Sequence, residues 1–195
     1  MYFYIKFFFD FLFTLAIIPI LIPLFIIISI ILKIESPSEN IFFVQERIGY
    51  KNKRFKLLKF RTMKNEDNPR DDFTNINDKR ITYFGRVLRQ TRLDEIPQFI
   101  NIAMGNMSLI GPRPEQPHYV DDLVKKYGSK FNKRHIVRPG ITGLAQVEYG
   151  YVSDLDDYVN KMNYDLAYVD KFGILIDLKI FFKTFIVMIL RIGSR

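Results

Sequence analysis

An uncharged apolar segment near the N-terminus constrains this chain more than any other feature. Between Asp10 and Lys33 the sequence reads FLFTLAIIPILIPLFIIISIIL, 22 residues without a charge. That length is enough to cross a hydrocarbon core of about 30 Å. The segment is longer than the apolar core of a typical signal peptide, only Lys6 precedes it as a positive side chain, and no small-residue cleavage pattern follows it. We therefore expect a retained membrane anchor.

Two prolines in the middle of the segment leave two topologies open. Pro19 and Pro23 each remove a backbone donor and disfavour a straight helix, so a break or kink is predicted near the midpoint. A kinked helix could still span the bilayer, whereas a sharper bend would return the chain to the leaflet that it entered. The basic stretch 45–64 places the body in the cytoplasm in either case. The predicted organisation is a membrane helix over 1–35 and a cytoplasmic domain over 36–195.

The domain that follows the anchor is basic. The chain has a formal net charge of +8 and no cysteine, which excludes a disulfide framework and a thiolate zinc site. Lysine and arginine are dense in QERIGYKNKRFKLLKFRTMK (45–64). Three kinds of partner fit this charge, namely anionic lipid head groups, nucleic acid and a phosphorylated small molecule. Composition does not distinguish among them.

The rest of the chain predicts a compact body that is mostly α-helical and contains one small β-hairpin. Aromatic and β-branched residues flank the turn-like GYKNK (49–53), which is typical of a hairpin with a basic rim. Helical patterns are predicted over 81–90, 97–104, 115–131 and 154–170. Loops are predicted over 65–78, 111–114 and 138–143.

The C-terminal segment over about 174–192 is apolar but interrupted by Asp177, Lys179 and Lys183. The two lysines are spaced i, i+4 and share one face of a helix. This pattern favours an interfacial amphipathic helix in the head-group region, with the lysines reaching toward water. A buried core helix is the alternative.

Two adjacent carboxylates, Asp94 and Glu95, stand beside a proline in RLDEIPQFIN. Pro97 predicts a helix boundary or sharp bend here. Anions are favoured near a helix N-terminus, and an ionised aspartate is what both a Mg²⁺ site and a nucleophile require. The alternative is that the pair are ordinary first-turn acids that balance Arg89 and Arg92.

Four cations in other segments strengthen the functional interpretation. Lys59 and Arg61 alternate in KFRTM and would share one face of a strand. Arg113 lies between two prolines in GPRPE, which stiffen the backbone of a phosphate-binding residue. Arg138 lies beside glycines in RPGITG, which allow close approach to an anion. Together they predict phosphate chemistry on a lipid. A non-catalytic, membrane-tethered module that binds nucleic acid or anionic lipid is the alternative, but it gives the carboxylates no role.

The order of five motifs resembles one known family. The motifs are KFRTM, RLDEIPQFIN, MGNMSLIGPRPE, RHIVRPGITGLAQV and YDLAYV, and they follow FDF and the apolar helix. Over nearly the whole chain this arrangement resembles the bacterial sugar transferases, the monotopic phosphoglycosyl transferases that act on polyprenol phosphate. The chain is similar to the small form of the family, without the additional N-terminal helices and domain of longer relatives.

The resemblance implies transfer of a sugar 1-phosphate from a nucleoside diphosphate sugar, which we expect to be a UDP-sugar, to undecaprenyl phosphate. Asp94 would attack the sugar-bearing phosphorus, form a covalent phosphosugar-aspartyl intermediate and bind Mg²⁺, while Glu95 would position or deprotonate the lipid phosphate. The residues implied to contact phosphate and nucleotide are Lys59, Arg61, Arg113 and Arg138. The implied site faces the cytoplasm at the bacterial inner membrane, where it begins glycoconjugate assembly. No nucleic acid partner is implied, and a homo-oligomer stays open.

Three positions depart from the family pattern. The family's re-entrant helix breaks at a Ser-Pro pair, where this chain has Ile22 and Pro23, and Pro19 removes another helix hydrogen bond upstream. The resemblance therefore favours re-entry. GLAQV (143–147) lacks a tryptophan that is common in the family, and EYGY (148–151) stands where many members have Asn-Gly-Arg. The sugar and the nucleotide base are therefore not predicted.

Overall fold

The computed structural model describes residues 1–64, 78–149 and 157–190. The predicted loop over 65–78 lies outside these residues except for Asp78. The first three residues of the predicted helix 154–170, and the last two of the predicted helix 174–192, also lie outside them.

Seven α-helices and four short strands form within the described residues. The helices are α1 (Tyr2–Glu35), α2 (Tyr83–Thr91), α3 (Gln98–Ala103), α4 (Pro117–Tyr127), α5 (Leu144–Glu148), α6 (Asp157–Asp170) and α7 (Ile174–Ile189). The strands are β1 (Phe42–Ile48), β2 (Arg54–Phe60), β3 (Ser108–Ile110) and β4 (Gly140–Thr142). β1 and β2 pair antiparallel, so the predicted fold class, mostly α with one small β-hairpin, is confirmed.

The helix α1 exposes most of its apolar surface. Among the described residues it is the one helix long and apolar enough to cross a membrane, and only 11% of its most apolar 18-residue window is buried. An apolar helix in the core of a soluble domain would instead be buried on all sides. The helix runs without interruption through Pro19 and Pro23. The effect of these prolines on its path in a bilayer stays a prediction.

Buried polar contacts fix the first turns of α1 to the body. Lys6 Nζ lies 2.8 Å from Asp177 Oδ2 in α7, and the Tyr2 hydroxyl donates to the same oxygen at 2.6 Å. The Ser108 hydroxyl in β3 donates to Asp10. Lys6 and Asp177 are both buried, and buried charges are tolerated when they are paired. This end of α1 is therefore docked on the body.

The last turns of α1 are docked as well. Ile28 and Leu32 are buried in a cluster with Phe60 of β2 and Leu88 of α2. The Arg61 guanidinium donates to the Leu32 carbonyl at 3.0 Å, a position where the helix dipole favours a cation. A straight helix of 34 residues would extend about 50 Å, yet both ends of α1 contact the same body.

The hairpin of β1 and β2 supports one side of this cluster. Phe42 pairs with Phe60 in the register of the two strands, and both rings lie within 6 Å of the Phe25 ring in α1. Phe60 is 1% exposed. The strand β2 therefore ends against α1, with Lys59 before and Arg61 after the buried Phe60 in the chain.

The strands β3 and β4 form a parallel pair that the sequence did not predict. A Cβ at Gly111 would lie 2.3 Å from the Arg138 carbonyl oxygen, and one at Gly140 would lie 2.1 Å from the Gly111 nitrogen. Glycine permits this approach because it has no side chain. The predicted loop over 138–143 is therefore wrong for Gly140–Thr142, where the glycines serve close strand packing.

The predicted C-terminal helix is confirmed as α7, and it has two unlike faces. Asp177 and Ile180 are buried against the body. Apolar side chains on the other face are exposed, including Leu175, Phe182, Phe185 and Ile189. Lys179 and Lys183 both pair with Glu148 of α5. The buried-helix alternative describes the first face, and the interfacial position expected for the second stays a prediction.

Candidate active site

The turn between α2 and α3 carries two buried carboxylates. α2 ends before Arg92, which adopts the left-handed conformation with a φ of 57°, and a 3-10 turn then contains Asp94 and Glu95. These residues are 9% and 8% exposed. Pro97 immediately precedes α3, as the predicted helix boundary requires. The carboxylates therefore lie at a junction between two helices.

Apolar neighbours hold this turn against α1. Leu93 and Ile96, on either side of the carboxylates, belong to the cluster that also buries Leu32, Phe60 and Leu88. Ile96 is itself 9% exposed. Burying the flanking residues leaves the turn little freedom, because its backbone cannot move without opening the cluster. The position of the carboxylates is thus fixed by the end of α1.

Glu95 is paired with two cations from distant segments. Its Oε1 accepts from Lys59 Nζ at 3.0 Å and from Arg113 Nη2 at 2.7 Å. Burial alone would raise the pKa of Glu95, but the charges and hydrogen bonds of Arg113 and Lys59 outweigh it and hold the pKa well below the ordinary range. Glu95 is therefore an anion at neutral pH.

Asp94 has a different environment from its neighbour. Its Oδ2 lies 3.9 Å from Lys59 Nζ, which is beyond hydrogen-bond distance. Burial raises the pKa of Asp94 above its ordinary range, Lys59 opposes this rise, and the charge of Glu95 adds to it. One carboxylate of the pair is thus held by cations, while the other keeps an oxygen that a further cation or a phosphorus could approach.

The structure brings together two of the four predicted cations with the carboxylates. Lys59 and Arg113 meet at Glu95. Arg61 is 4% exposed and donates to the backbone carbonyls of Leu32 and Asn40. Its described contacts are those of a helix-capping residue and give no support to a phosphate-binding role.

Arg138 also lies elsewhere. Its Nε donates to the Gly105 carbonyl at 3.0 Å, and its guanidinium lies 4.9 Å from the centre of the Phe3 ring and 4.1 Å from that of Phe7. These cation–π distances are typical of a stabilising contact. In this structure Arg138 therefore fixes the first turns of α1 to the body.

Sequence reasoning missed a group of buried charges behind Arg113. Arg134 in the 3-10 segment Ser129–Ile136 donates to the Arg113 carbonyl at 2.7 Å and pairs with Asp165 of α6 at 2.7 Å. No spacing signal links these residues, since their segments meet only in the folded chain. Arg89 was considered only as a balancing charge, and its positive charge does lower the pKa of Asp94.

The carboxylate pair fits a divalent cation of the kind that needs few protein ligands. In the part of the chain that the structure describes, no three His, Cys, Asp or Glu side chains converge as a metal cage. Mg²⁺, however, is usually held by one or two carboxylates together with water and substrate phosphates. Asp94 could supply such a ligand, because an added positive charge would offset the burial of its carboxylate.

Comparison with known proteins relates this constellation to one family. A family model described as bacterial sugar transferase matches residues 1–191. The chain is 42% identical over 165 residues to an Aeromonas hydrophila protein named UDP-N-acetylgalactosamine-undecaprenyl-phosphate N-acetylgalactosaminephosphotransferase, an alignment that covers 84% of this chain and 38% of the relative. It is 38% identical over 160 residues to the UDP-glucose:undecaprenyl-phosphate glucose-1-phosphate transferase of Xanthomonas campestris pv. campestris. That alignment covers 78% of this chain and 32% of the relative.

A relative of more similar length is the exopolysaccharide production protein ExoY of Sinorhizobium fredii. It is 37% identical over 177 residues, which covers 82% of this chain and 74% of the relative. The chain therefore spans about a third of the length of the first two relatives and most of the third.

The unequal pairing of the two carboxylates predicts unequal effects on stability. We expect Glu95→Gln to lower the free energy of unfolding by about 1–3 kcal/mol, because it leaves Lys59 and Arg113 without their anion. Asp94→Asn should cost less, because it removes a buried charge whose contact with Lys59 is too long for a hydrogen bond. Thermal unfolding of both variants in detergent with a metal chelator measures the difference. An Asp94→Asn variant destabilised as much as Glu95→Gln would contradict this account of the pair.

Proposed function

Because the chain belongs to the bacterial sugar transferase family, we propose that it is a phosphoglycosyl transferase that moves a sugar 1-phosphate from a nucleoside diphosphate sugar to undecaprenyl phosphate. The products would be a polyprenyl-diphosphate-linked sugar and a nucleoside monophosphate. Two relatives carry names of transferases that use UDP-sugars and undecaprenyl phosphate, which supports a UDP-sugar donor. The observation that carries the proposal is the buried Asp94 beside a cation-paired Glu95, next to a helix whose apolar surface is mostly exposed.

In the first step, an oxygen of the Asp94 carboxylate attacks the phosphorus that bears the sugar. The bond from that phosphorus to the bridging oxygen of the diphosphate breaks, and the nucleoside monophosphate leaves with the electron pair. Asp94 then carries the sugar phosphate as an acyl phosphate. The contact between Asp94 Oδ2 and Lys59 Nζ is 3.9 Å long, which supports this role, since the attacking oxygen is not held by a hydrogen bond to that cation.

In the second step, an oxygen of undecaprenyl phosphate attacks the same phosphorus, and the bond to Asp94 breaks to restore the carboxylate. Both substrates are anions, and dividing the reaction lets each meet the same cations in turn. Lys59 and Arg113 would contact the phosphates. Glu95 is an anion held by both of them, which supports a positioning role over that of a base.

Mg²⁺ is the cofactor that we propose for this site. Asp94 would hold it together with substrate phosphate oxygens, and when bound it would neutralise charge on the diphosphate. The residues of the chain would then orient both phosphates toward Asp94 and keep Glu95 ionised.

We further propose that α1 enters and leaves the bilayer on the same, cytoplasmic side of the bacterial inner membrane. Lys6 near its start and Leu32 near its end are both buried against the body. A spanning helix would separate these positions by a hydrocarbon core of about 30 Å. With re-entry, the exposed apolar surface of α1 and the exposed face of α7 would both contact lipid, and the site would open near the head groups where the polyprenol phosphate lies.

Transfer to lipid should depend on Asp94. We expect the purified protein to convert undecaprenyl phosphate and one member of a panel of nucleoside diphosphate sugars into a lipid-linked product when Mg²⁺ is present, and Asp94→Asn to lose at least about a thousandfold in rate. Asp121→Asn, at an exposed position of α4, is the matched control. Wild-type rates from the Asp94→Asn variant would refute this nucleophile, and no transfer by the wild-type chain from any donor would favour a non-catalytic basic module.

The covalent step predicts a mass change without the lipid acceptor. Incubation with the donor alone should add one phosphosugar to the protein and release nucleoside monophosphate in equal amount. Intact-protein mass spectrometry detects the adduct, and peptide mapping after acid quench locates it. An adduct on a residue other than Asp94 would refute this nucleophile. Transfer to lipid by a protein that forms no adduct with the donor would overturn the two-step mechanism.

Re-entry predicts that both flanks of α1 face one compartment. The chain has no cysteine of its own, so Tyr4→Cys, at a position 77% exposed, and Ser38→Cys can be labelled singly. In sealed inverted membrane vesicles an impermeant maleimide should modify both variants, and in intact spheroplasts neither. Labelling of the two positions from opposite sides would establish a spanning helix, and detergent-solubilised samples control for the reactivity of each thiol.

A further inference from the structure

We propose that Arg134 is a positioning residue for the transfer reaction, which acts by holding the backbone of Arg113 and, through it, the contact with Glu95. This inference rests on the proposed function for its kinetic consequence, while the structural clamp can be tested without it. It concerns a buried side chain that lies in a different segment from both the carboxylate pair and the loop that carries Arg113.

The loop 111–115 is held at its first two residues by hydrogen bonds to β4. The Gly111 amide donates to the Thr142 carbonyl at 2.9 Å, and the Pro112 carbonyl accepts from the Gly140 amide at 3.0 Å. Each proline also fixes one backbone dihedral. The loop therefore leaves the parallel strand pair along a defined path before it reaches Arg113.

Arg134 makes the next attachment. Its Nη2 donates to the Arg113 carbonyl at 2.7 Å and lies 2.7 Å from Asp165 Oδ2. The Arg134 side chain is 1% exposed, and its guanidinium lies over the Phe131 ring at 5.1 Å. Both contacts are made by Nη2, and within the described part of the chain Asp165 Oδ2 makes no hydrogen bond, so Asp165 holds the guanidinium as an ion pair. Asp165 in α6 thereby fixes Arg134, and Arg134 fixes the loop.

Two further cations hold the end of the same loop. Arg47 Nη1 donates to the Pro114 carbonyl at 3.2 Å, and Lys161 Nζ pairs with Glu115 Oε1 at 2.5 Å. The Glu115 carbonyl accepts from the Ile48 amide at 2.9 Å. Burial would raise the pKa of Glu115, but Lys161, Arg134 and Arg47 lower it below its ordinary range. Every residue of the loop thus has a backbone or side-chain attachment to another segment.

The result is that Arg113 projects from a fixed backbone toward Glu95. Its side chain is 28% exposed, and its Nη2 lies 2.7 Å from Glu95 Oε1. An arginine on a mobile loop would spend part of its time away from the phosphates. Displacement of a positioning group by about 1 Å can reduce rate by about a hundredfold, so the clamp on the Arg113 carbonyl has a kinetic consequence although Arg134 is too far inside to touch substrate.

The test is a double-mutant cycle between Arg134 and Arg113. Arg134→Lys keeps the charge but shortens the side chain and removes Nη2, which bonds the Arg113 carbonyl, and we expect it to lower kcat/KM for the donor by about 10- to 100-fold. Arg113→Ala should also lower kcat/KM. The loss should be divided between kcat and KM in the same proportion as in Arg134→Lys. In the Arg113→Ala background, Arg134→Lys should add less than about twofold, since it acts through the side chain already removed. Lys133→Gln, at the exposed neighbouring position, is the control.

Hydrogen exchange of the loop provides a readout independent of activity. The Gly111 and Gly140 amides, which bond the Thr142 and Pro112 carbonyls, should exchange faster in Arg134→Lys, whereas those in β1 and β2 should be unchanged. Asp165→Asn, which releases Arg134 from its acid without removing it, should produce the same pattern more weakly and serves if Arg134→Lys does not fold. Additive losses in the double mutant, or unchanged exchange in the loop, would overturn the inference. A wild-type protein that transfers no sugar phosphate would refute the proposed function, while the exchange result would still decide whether the clamp exists.

Discussion

The last turns of α1 and the turn that carries Asp94 share one hydrophobic cluster, and the rest of the site depends on that contact. Leu32 of the membrane helix and Ile96 beside the carboxylates are buried in the same group of side chains. The proposed transfer from a water-soluble donor to a lipid-soluble acceptor requires a reactive group at the boundary between the two solvents. Burial of apolar surface would achieve this directly, because the residues that dock α1 also place the carboxylates.

The charged side chains of the site form two groups, one at the carboxylates and one further inside the body. Glu95 is neutralised by Lys59 and Arg113, whereas Asp94 has a longer contact with Lys59. A second set of ion pairs lies further inside, with Arg134 between the Arg113 carbonyl and Asp165. Buried ion pairs contribute little net stability. Their role here is to orient the Arg113 loop, because Arg134 holds the Arg113 carbonyl in one place.

The sequence predicted what local patterns and ordered motifs can encode. The hairpin, α7 and the helix boundary at Pro97 follow from alternation, amphipathicity and proline geometry, and the structure contains all three. The motifs as a group predicted that the cations and the carboxylate pair serve one phosphate site, but not that Lys59 and Arg113 pair with Glu95. The phosphate-binding role of Arg61 stays a prediction, and alternation did not indicate its contact with the end of a helix 29 residues earlier in the chain. The attachment of Arg134 to Arg113 depends on how two loops pack, which neither periodicity nor composition records.

Three consecutive residues at the end of β2 make contacts of different kinds, namely Lys59, Phe60 and Arg61. Lys59 contacts the carboxylates, Phe60 fills the cluster with α1, and Arg61 caps α1 through the Leu32 carbonyl. The membrane helix is consequently not an interchangeable tether. Removal of α1 would uncover Phe60 and Leu88 and deprive Arg61 of its helix end, next to the strand that presents Lys59. A version of the chain without its apolar helix would therefore lose part of the support of the carboxylate site.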